Sequence, residues 1–485
     1  MKIRSILYIS ILSILSACMF SKPYNGTPVL TPDAYRFSDI QEVEKERLKT
    51  EEEEEYQLLS WWEIFNDSYL DTLIVTALRN NRNVLIASQR IEQARKQQSI
   101  TKKDLRPKFG TQLQAGRGNF VQGLPGDDAF NLYTGFVSTS WELDIWGKFR
   151  SLNRAAKANL LGSEYAKRAI QISLISDVAT SYFKLLELRE LLRISESTLS
   201  SRDSSTNLIQ QRFDKGIVAE IDLNQSQIQK AIAAGAVPLY KRQMYQQENA
   251  LSILIGENPR GFLPEFELYE QEVMIDIPEG LPSELLSQRP DILQAEQQIV
   301  AQNYQIGVAK ANRIPAISLT GLLGLASTEL SSITDSWPAW NILGDFTGPI
   351  FQWGQLKDQV RIEEYRLQET ILNYEQNVLV AFQEVEDALI GIETLKDEVR
   401  AREDHVRAAS NAEMLSRFRY DKGVTSYLEF LESQRQAFDA SLSLAQTKQQ
   451  LLSNYVLLYK ALGGGWISPE EKSEAEQAAQ ENTKE

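Results

Sequence analysis

Apolar and polar positions divide the chain into a succession of elements that occurs twice. Over 68–105 apolar residues recur at intervals of three and four (Leu70, Leu73, Ile74, Ala77, Leu78), the period of an amphipathic helix. A Gln-, Ala- and Arg-rich stretch with few breakers predicts a second helix over 283–313. Each stretch meets a proline, Pro107 or Pro315, where a helix normally stops. The period then changes to two. Phe109, Thr111, Leu113 and Ala115 alternate with Gly110, Gln112 and Gln114, and β-formers dominate 133–141. In the second half Ile317, Leu319, Gly321, Leu323 and Leu325 alternate with Ala316, Ser318, Thr320, Leu322 and Gly324, and 340–347 follows. Segments rich in Gly, Pro, Asp and Ser, 118–131 and 326–338, predict the connecting loops. The pattern thus predicts two β-hairpins, 106–146 and 314–351, and four strands.

After each hairpin comes a long helical stretch, from about 148 to Gly216 and from about 354 to Gly423. Each is roughly 65 residues, or about 100 Å at 1.5 Å per residue. A Lys-Gly turn ends each, glycine suiting a left-handed helix terminus. A second helix returns to Gly256 or Gly463, and Pro238 should kink the first of these.

The duplication is written in the residues themselves. Arg212-Phe213-Asp214-Lys215-Gly216-Ile217 matches Arg419-Tyr420-Asp421-Lys422-Gly423-Val424 at an offset of 207, which also pairs Ser226-Gln227 with Ser433-Gln434 and Trp146-Gly147 with Trp353-Gly354. A unit this long is a duplicated half-molecule rather than a solenoid repeat. The predicted organisation is 1–17 lipoprotein signal peptide, 18–60 lipidated extended arm, 61–260 first repeat, 261–282 connector, 283–466 second repeat and 467–485 disordered tail.

Composition narrows the chemistry. Among 485 residues there is one His (His405), one Cys (Cys18) and five Met. That excludes an intramolecular disulfide, Cys-based zinc sites and a His cluster, makes His-based catalysis unsuited, and argues against a methionine-lined copper path. A net charge of −15 argues against a nucleic-acid partner. The arm carries an acidic run over 51–55, which reads as solvated. Lys2 and Arg4 precede an apolar stretch over 6–15, the layout of a signal peptide and too short to span a bilayer. It ends in Leu15-Ser16-Ala17-Cys18, which resembles the lipobox of bacterial lipoproteins and implies cleavage before Cys18 and a covalent lipid on it. Met19 stands where an inner-membrane retention signal would be Asp, so the resemblance implies an outer-membrane anchor.

No later window offers a transmembrane helix, but β-strands need only about ten alternating residues. Four strands cannot close a barrel, and a lipid-exposed sheet edge is forbidden in hydrocarbon, so several copies must pool their strands if these lie in a membrane. Aromatics in or beside the hairpins (Phe109, Phe120, Phe130, Tyr133, Trp141, Trp146, Trp337, Trp340, Trp353) favour the membrane, where aromatic girdles mark the interfaces. A soluble bundle capped by hairpins is the alternative.

Six stretches then carry a family resemblance. They are Trp61-Trp62-Glu63-Ile64-Phe65-Asn66-Asp67, Ser140-Trp141-Glu142-Leu143-Asp144-Ile145-Trp146-Gly147-Lys148, Gln288-Arg289-Pro290-Asp291, Ile306-Gly307-Val308-Ala309-Lys310, Gly348-Pro349-Ile350-Phe351 and Lys460-Ala461-Leu462-Gly463-Gly464-Gly465-Trp466. In this order they resemble TolC-type outer-membrane efflux proteins of the lipoprotein (OprM/NodT-like) branch, across nearly the whole mature chain. The resemblance implies a mixed α/β membrane protein: a homotrimer whose long antiparallel helices form an α-barrel tunnel of twelve helices, with four strands per chain closing a twelve-stranded transmembrane β-barrel. It implies a passive exit duct, no enzyme and no cofactor. Its partners would be outer-membrane lipid, a periplasmic adaptor (membrane fusion) protein and an inner-membrane pump, expected to be proton-driven.

Glu429 and Glu432, three apart on one helix face, resemble the acids that line the narrow periplasmic end of the family's tunnel, with Glu in place of the usual Asp. Three copies would stack two carboxylate rings, which select cations. Arg419 and Arg435 are candidate partners. The corresponding first-half positions are Asp222 and Gln225, Asp222 adding a third candidate acid. Lys215, Gly216, Lys422 and Gly423 would form the tips and are candidates for adaptor docking. Trp146 and Trp353 read as strand-to-helix junctions, and His405 as an exposed wall residue. Efflux of small toxic compounds leads; type I protein secretion and a structural lipoprotein without a pore are the alternatives.

Overall fold

The computed structural model describes residues 24, 26–27, 61–121, 124–271, 288–335 and 338–464. The signal peptide, Cys18, the acidic run over 51–55, most of the arm and connector, Trp337, and the tail beyond Gly464 lie outside the described residues.

A 3-10 turn at Trp61–Phe65 leads into α1 (Ser68–Asn80) and α2 (Arg82–Lys103). The continuous helix expected over 68–105 is therefore two. The break has a local and a tertiary part: Asn81 adopts an extended backbone, its Oδ1 accepts the Asn83 amide at 2.8 Å, and its Nδ2 donates 2.8 Å to the Leu254 carbonyl. Strands β1 (Lys108–Val121) and β2 (Leu124–Leu143) follow, then α3 (Lys148–Asp214) and α4 (Glu220–Leu254). The second half repeats the order as α5 (Pro290–Ala311), β3 (Ala316–Ser327), β4 (Ala339–Thr347), α6 (Gln355–Asp421) and α7 (Tyr427–Ala461). Both ends of α3 and α4 stand 207 positions from the corresponding ends of α6 and α7, so the repeat is exact at the level of the helices. Pro238 lies inside α4 without ending it.

The strands form one antiparallel sheet, β1-β2-β3-β4. The loop expected over 118–131 is mostly strand. The ladder runs on past a register shift between Gly118 and Phe120 and pairs Val121 with Leu124. Its Gly, Pro and Asp residues suit a loop locally, but backbone pairing with β1 satisfies the segment, and β3 joins β2 only from Tyr133 onward. Pro125 thus sits on an edge, where its missing N–H is tolerated.

The register separates the faces. Rows across the sheet on one side read Phe109–Thr139–Gly321–Ile342, Thr111–Val137–Leu323–Trp340, Trp141–Leu319–Gly344 and Leu143–Ile317–Phe346. The other side reads Gly110–Ser138–Leu322–Asn341, Lys108–Ser140–Thr320–Leu343 and Glu142–Ser318–Asp345. On the apolar side Leu113, Trp340, Ile342 and Phe346 are 69–84% exposed. Apolar side chains so uncovered, beside a polar opposite face, match a sheet with lipid on one side and water on the other. β1 and β4 each pair on one side only, leaving two open edges.

The chain separates into two compact units. One gathers Ser88–Ala166 and Asp291–Asn377, hence the sheet and the starts of α3 and α6; the other gathers Lys167–Pro290 and the chain from Val378. In the second unit Phe65 meets Phe183 edge-on at 4.8 Å, and Tyr182, Phe183 and Leu185 of α3 are fully buried. Asp67 is buried there too: Oδ1 accepts from the Tyr69 and Leu70 amides at 3.0 and 3.1 Å, and Oδ2 from Tyr182 Oη at 2.6 Å and Gln271 Nε2 at 2.8 Å. One carboxylate thereby caps α1 and ties α3 to the segment after α4.

Candidate functional site at the helix tips

Both Lys-Gly turns are built alike. Gly216 (φ +71°) and Gly423 (φ +73°) take the left-handed conformation after α3 and α6. The Ile217 amide donates to the Arg212 carbonyl and the Val424 amide to the Arg419 carbonyl, each at 2.9 Å, closing a Schellman motif. A Cβ on either glycine would meet nothing within 4 Å. Lys215 and Lys422 are exposed beside them, Lys422 lying over the Phe418 ring.

A hydrophobic cluster joins the two turns. Ile209 of α3, Leu223 of α4, and Tyr427, Phe430 and Leu431 of α7 are buried together, with Phe213, Val218 and Tyr420 packed on them. Tyr420 stacks on Phe430, and the Arg212 guanidinium covers its ring at 5.0 Å. The cluster presents the start of α7, which Ser426 caps by accepting the Glu429 amide.

Glu429 and Glu432 project from that start and are about half exposed. Glu429 Oε1 lies 3.0 Å from Arg419 Nη1, and its Oε2 accepts from the Thr425 hydroxyl. Glu432 accepts from Arg435 Nη2 at 2.6 Å and Nε at 3.1 Å, a bidentate pair, and from Gln436 at 2.9 Å. The hydrogen bonds from Arg435 and Gln436 hold the Glu432 carboxyl below its ordinary range, and the same pairing raises Arg435. Each acid therefore carries its own arginine. Asp222, in the first turn of α4, is half-buried; burial raises the pKa of Tyr427, and the nearby Asp222 charge adds to that rise. It is less exposed than the two glutamates.

Farther from the tips lies a group that no sequence pattern points to. Arg202 of α3 is 2% exposed; its guanidinium donates 2.8 Å to the Gln229 carbonyl on α4 and lies over the α7 ring of Phe438 at 5.1 Å. Asp439, Glu413 and Tyr427 face it, while burial lowers the Arg202 pKa. Burial raises that of Glu413, which bonds Gln434. The position 207 residues on is Ala409, which packs with Ala437 and Ala440. The two repeats thus solve one packing problem with an arginine wedge and with close alanines. His405 is exposed on α6.

At the other end of the long helices, the strand-to-helix junctions contain Trp146 before Gly147 (φ +72°) and Trp353 (φ +50°) before Gly354. Trp146 Nε1 donates 2.8 Å to the Pro315 carbonyl, whereas Trp353 is 90% exposed.

A family model described as outer membrane efflux protein matches the chain twice, over 73–257 and 281–464. The chain belongs to this family. The two matched segments correspond to the two structural repeats. Among curated outer membrane efflux proteins, it is 34% identical over 417 residues to the cation efflux system protein CusC of Escherichia coli O6:H1, covering 85% of this chain and 89% of that one. It is likewise 34% identical over 408 residues to the solvent efflux pump outer membrane protein SrpC of Pseudomonas putida, covering 83% and 87%. It is 32% identical over 467 residues to the probable outer membrane lipoprotein SilC of Salmonella typhimurium, covering 95% and 99%. The crystal structure of the Campylobacter jejuni CmeC outer membrane channel superposes with a TM-score of 0.83 at 27% identity, covering 95% of this chain and 98% of that one. This efflux protein is accordingly an outer-membrane channel and not an enzyme.

Proposed function

We propose that three copies of this channel pool their sheets into a twelve-stranded barrel and their helices into a tunnel, the passive exit of a tripartite system for small toxic compounds. The observation that carries the reading is the sheet: one apolar exposed face, one polar face, and two open edges that hydrocarbon does not tolerate unpaired. Identical copies satisfy both edges by pairing β1 of one chain with β4 of the next. A periplasmic adaptor docks at the tips around Lys215, Gly216, Lys422 and Gly423, and a proton-driven inner-membrane pump supplies the energy. The names of SrpC and CusC, matched at the same identity, support efflux of small solutes over protein secretion. A lipid on Cys18 anchors the chain, as the name of SilC supports.

Glu429 and Glu432 form the narrow gate, with Asp222 beneath them. Three copies bring six carboxylates together, and the Arg419 and Arg435 pairs offset their repulsion within each chain. Replacing both glutamates (Glu429→Ala with Glu432→Ala) is expected to raise resting conductance in planar bilayers severalfold and to weaken block by divalent cations. Conductance and block equal to the unmodified channel would remove these residues from the gate. Crosslinking in living cells followed by purification tests the partners: an adaptor with a proton-driven pump is expected, and an ATP-driven exporter with a protein substrate would overturn the efflux assignment.

A further inference from the structure

The sheet has a strongly asymmetric charge along its strands. Its helix end comprises four short segments, 102–108, 142–157, 310–313 and 354–361, which together carry twelve Lys and Arg against four Asp and Glu. Its turn end, 117–132 and 327–338, carries one Arg (Arg117) against Asp127, Asp128, Glu329 and Asp335. In a chain of net charge −15 the excess of cations at one end is not a reflection of composition.

Three of the four acids at the helix end are already engaged, Asp358 being the exception. Asp104 pairs with Lys108 at 2.8 Å, Glu142 with Lys148 at 2.9 Å and Asp144 with Arg150 at 3.1 Å. Lys102, Lys103, Arg106, Arg313, Lys357 and Arg361 are all exposed, and none forms an ion pair among the described residues. They lie at the level where the apolar face of the sheet ends: Phe109 immediately follows Lys108, and Phe346, 69% exposed, ends the apolar row on β4. Trp353, 90% exposed and in edge contact with Phe351 at 4.9 Å, lies four residues before Lys357. An aromatic at the edge of an apolar band, followed at once by cations, is the side-chain order of a membrane–water interface.

We propose that this basic collar binds the phosphate groups of anionic phospholipids in the leaflet where the strands turn into helices. The inference rests on the reading that the apolar face lies in the membrane, and adds to it a headgroup preference and a direction. Cations within a Debye length of an anionic surface are attracted to it, and the acidic turn end is repelled. The collar therefore fixes which end of the sheet faces the helix-side leaflet and how deeply the band sits. Three copies triple the collar and its threefold excess of cations over acids.

The test uses the full-length protein in mild detergent, titrated with phosphatidylglycerol or phosphatidylcholine, with bound lipids counted by native mass spectrometry. Phosphatidylglycerol is expected to be retained about tenfold more tightly, a preference that falls toward parity at about 0.5 M salt, where the Debye length shrinks to a few ångströms. The variant with Lys102→Gln, Lys103→Gln, Arg106→Gln, Arg313→Gln, Lys357→Gln and Arg361→Gln should show the same loss at low salt. Equal retention of both lipids by the unmodified protein overturns the proposal, as does an undiminished preference in the variant. Conductance in pure phosphatidylcholine bilayers separates the two readings. A protein that conducts there without lipid preference loses the collar alone, and one that never conducts loses the membrane placement of the sheet.

Discussion

Asp67 has two oxygens and four donors, all in a fully buried position. Removing it by Asp67→Ala would uncap α1 and leave the Tyr182 hydroxyl and the Gln271 amide without that acceptor. The expected loss is about 3–5 kcal/mol, read as a lower melting temperature, because unpaired buried donors add to the lost cap. Asp67→Asn should cost less, since it keeps one acceptor. A second buried carboxylate makes a pH prediction. Glu187 is 2% exposed at its side chain and pairs with Lys184 at 2.5 Å, yet burial outweighs that pair and raises its pKa. The folded state therefore takes up a proton before the unfolded one as pH falls. Stability contributed by Glu187 should rise from neutral pH down to its ordinary value near 4.5 and then level off. Glu187→Gln should flatten that segment of a melting-temperature profile; an unchanged slope would assign it to other groups. Glu432 has the opposite sign. Its lowered pKa keeps its pair with Arg435 intact until pH falls below the usual carboxylate range. The buried roles of Asp67, Glu187 and Arg202 were not legible in sequence, since each depends on partners from other elements or on burial.

At the scale of elements, the glycines that end the long helices are not equivalent to those that end the returning helices. Gly216 and Gly423 face open space, so an added Cβ meets only the positive-φ penalty. Gly256 also has positive φ, but a Cβ there would lie 2.5 Å from the Asn80 carbonyl oxygen, backbone that cannot rotate away. Gly216→Ala is thus expected to cost about 1 kcal/mol and Gly256→Ala about 3 kcal/mol or more, compared by thermal unfolding of the purified channel. Equal effects would show that the close approach relaxes. The same contact contributes to the split between α1 and α2. Apolar spacing persists from Leu70 into the eighties; the helix breaks where Asn81 accepts the Asn83 amide locally and the α4 terminus arrives at Asn80 and Asn81. The ends of α3, α4, α6 and α7, by contrast, were readable to within a few residues, since each is marked by a glycine that the local backbone requires.

For the whole molecule, the anchor is the prediction nearest to measurement. Mass spectrometry of the mature protein should find an acylated Cys18 as the first residue. A free thiol, or cleavage elsewhere, would remove the lipid anchor while leaving the channel intact. Function at this scale follows from what one chain leaves unfinished: two sheet edges without partners, and an apolar face that water would not tolerate.

Periodicity and the 207-residue duplication determined the element order, the four strands, the long helices and the two tips, because each depends on local backbone preference or on which side chains repeat. The pairing of Glu429 with Arg419 and Glu432 with Arg435 was legible as a possibility, since all four residues lie within about four turns of one helical hairpin. Tertiary structure alone decided the rest. Strand pairing turned a glycine- and aspartate-rich stretch into β2, a distant carbonyl fixed the Asn81 side chain at the break between α1 and α2, and Arg202 entered the space that alanines fill in the other repeat. The partners of Asn81 and Arg202 lie far along the chain, where composition and period carry no information about contact, and the hairpin pairing of β1 with β2 is short-range but overrides the turn preference of its residues.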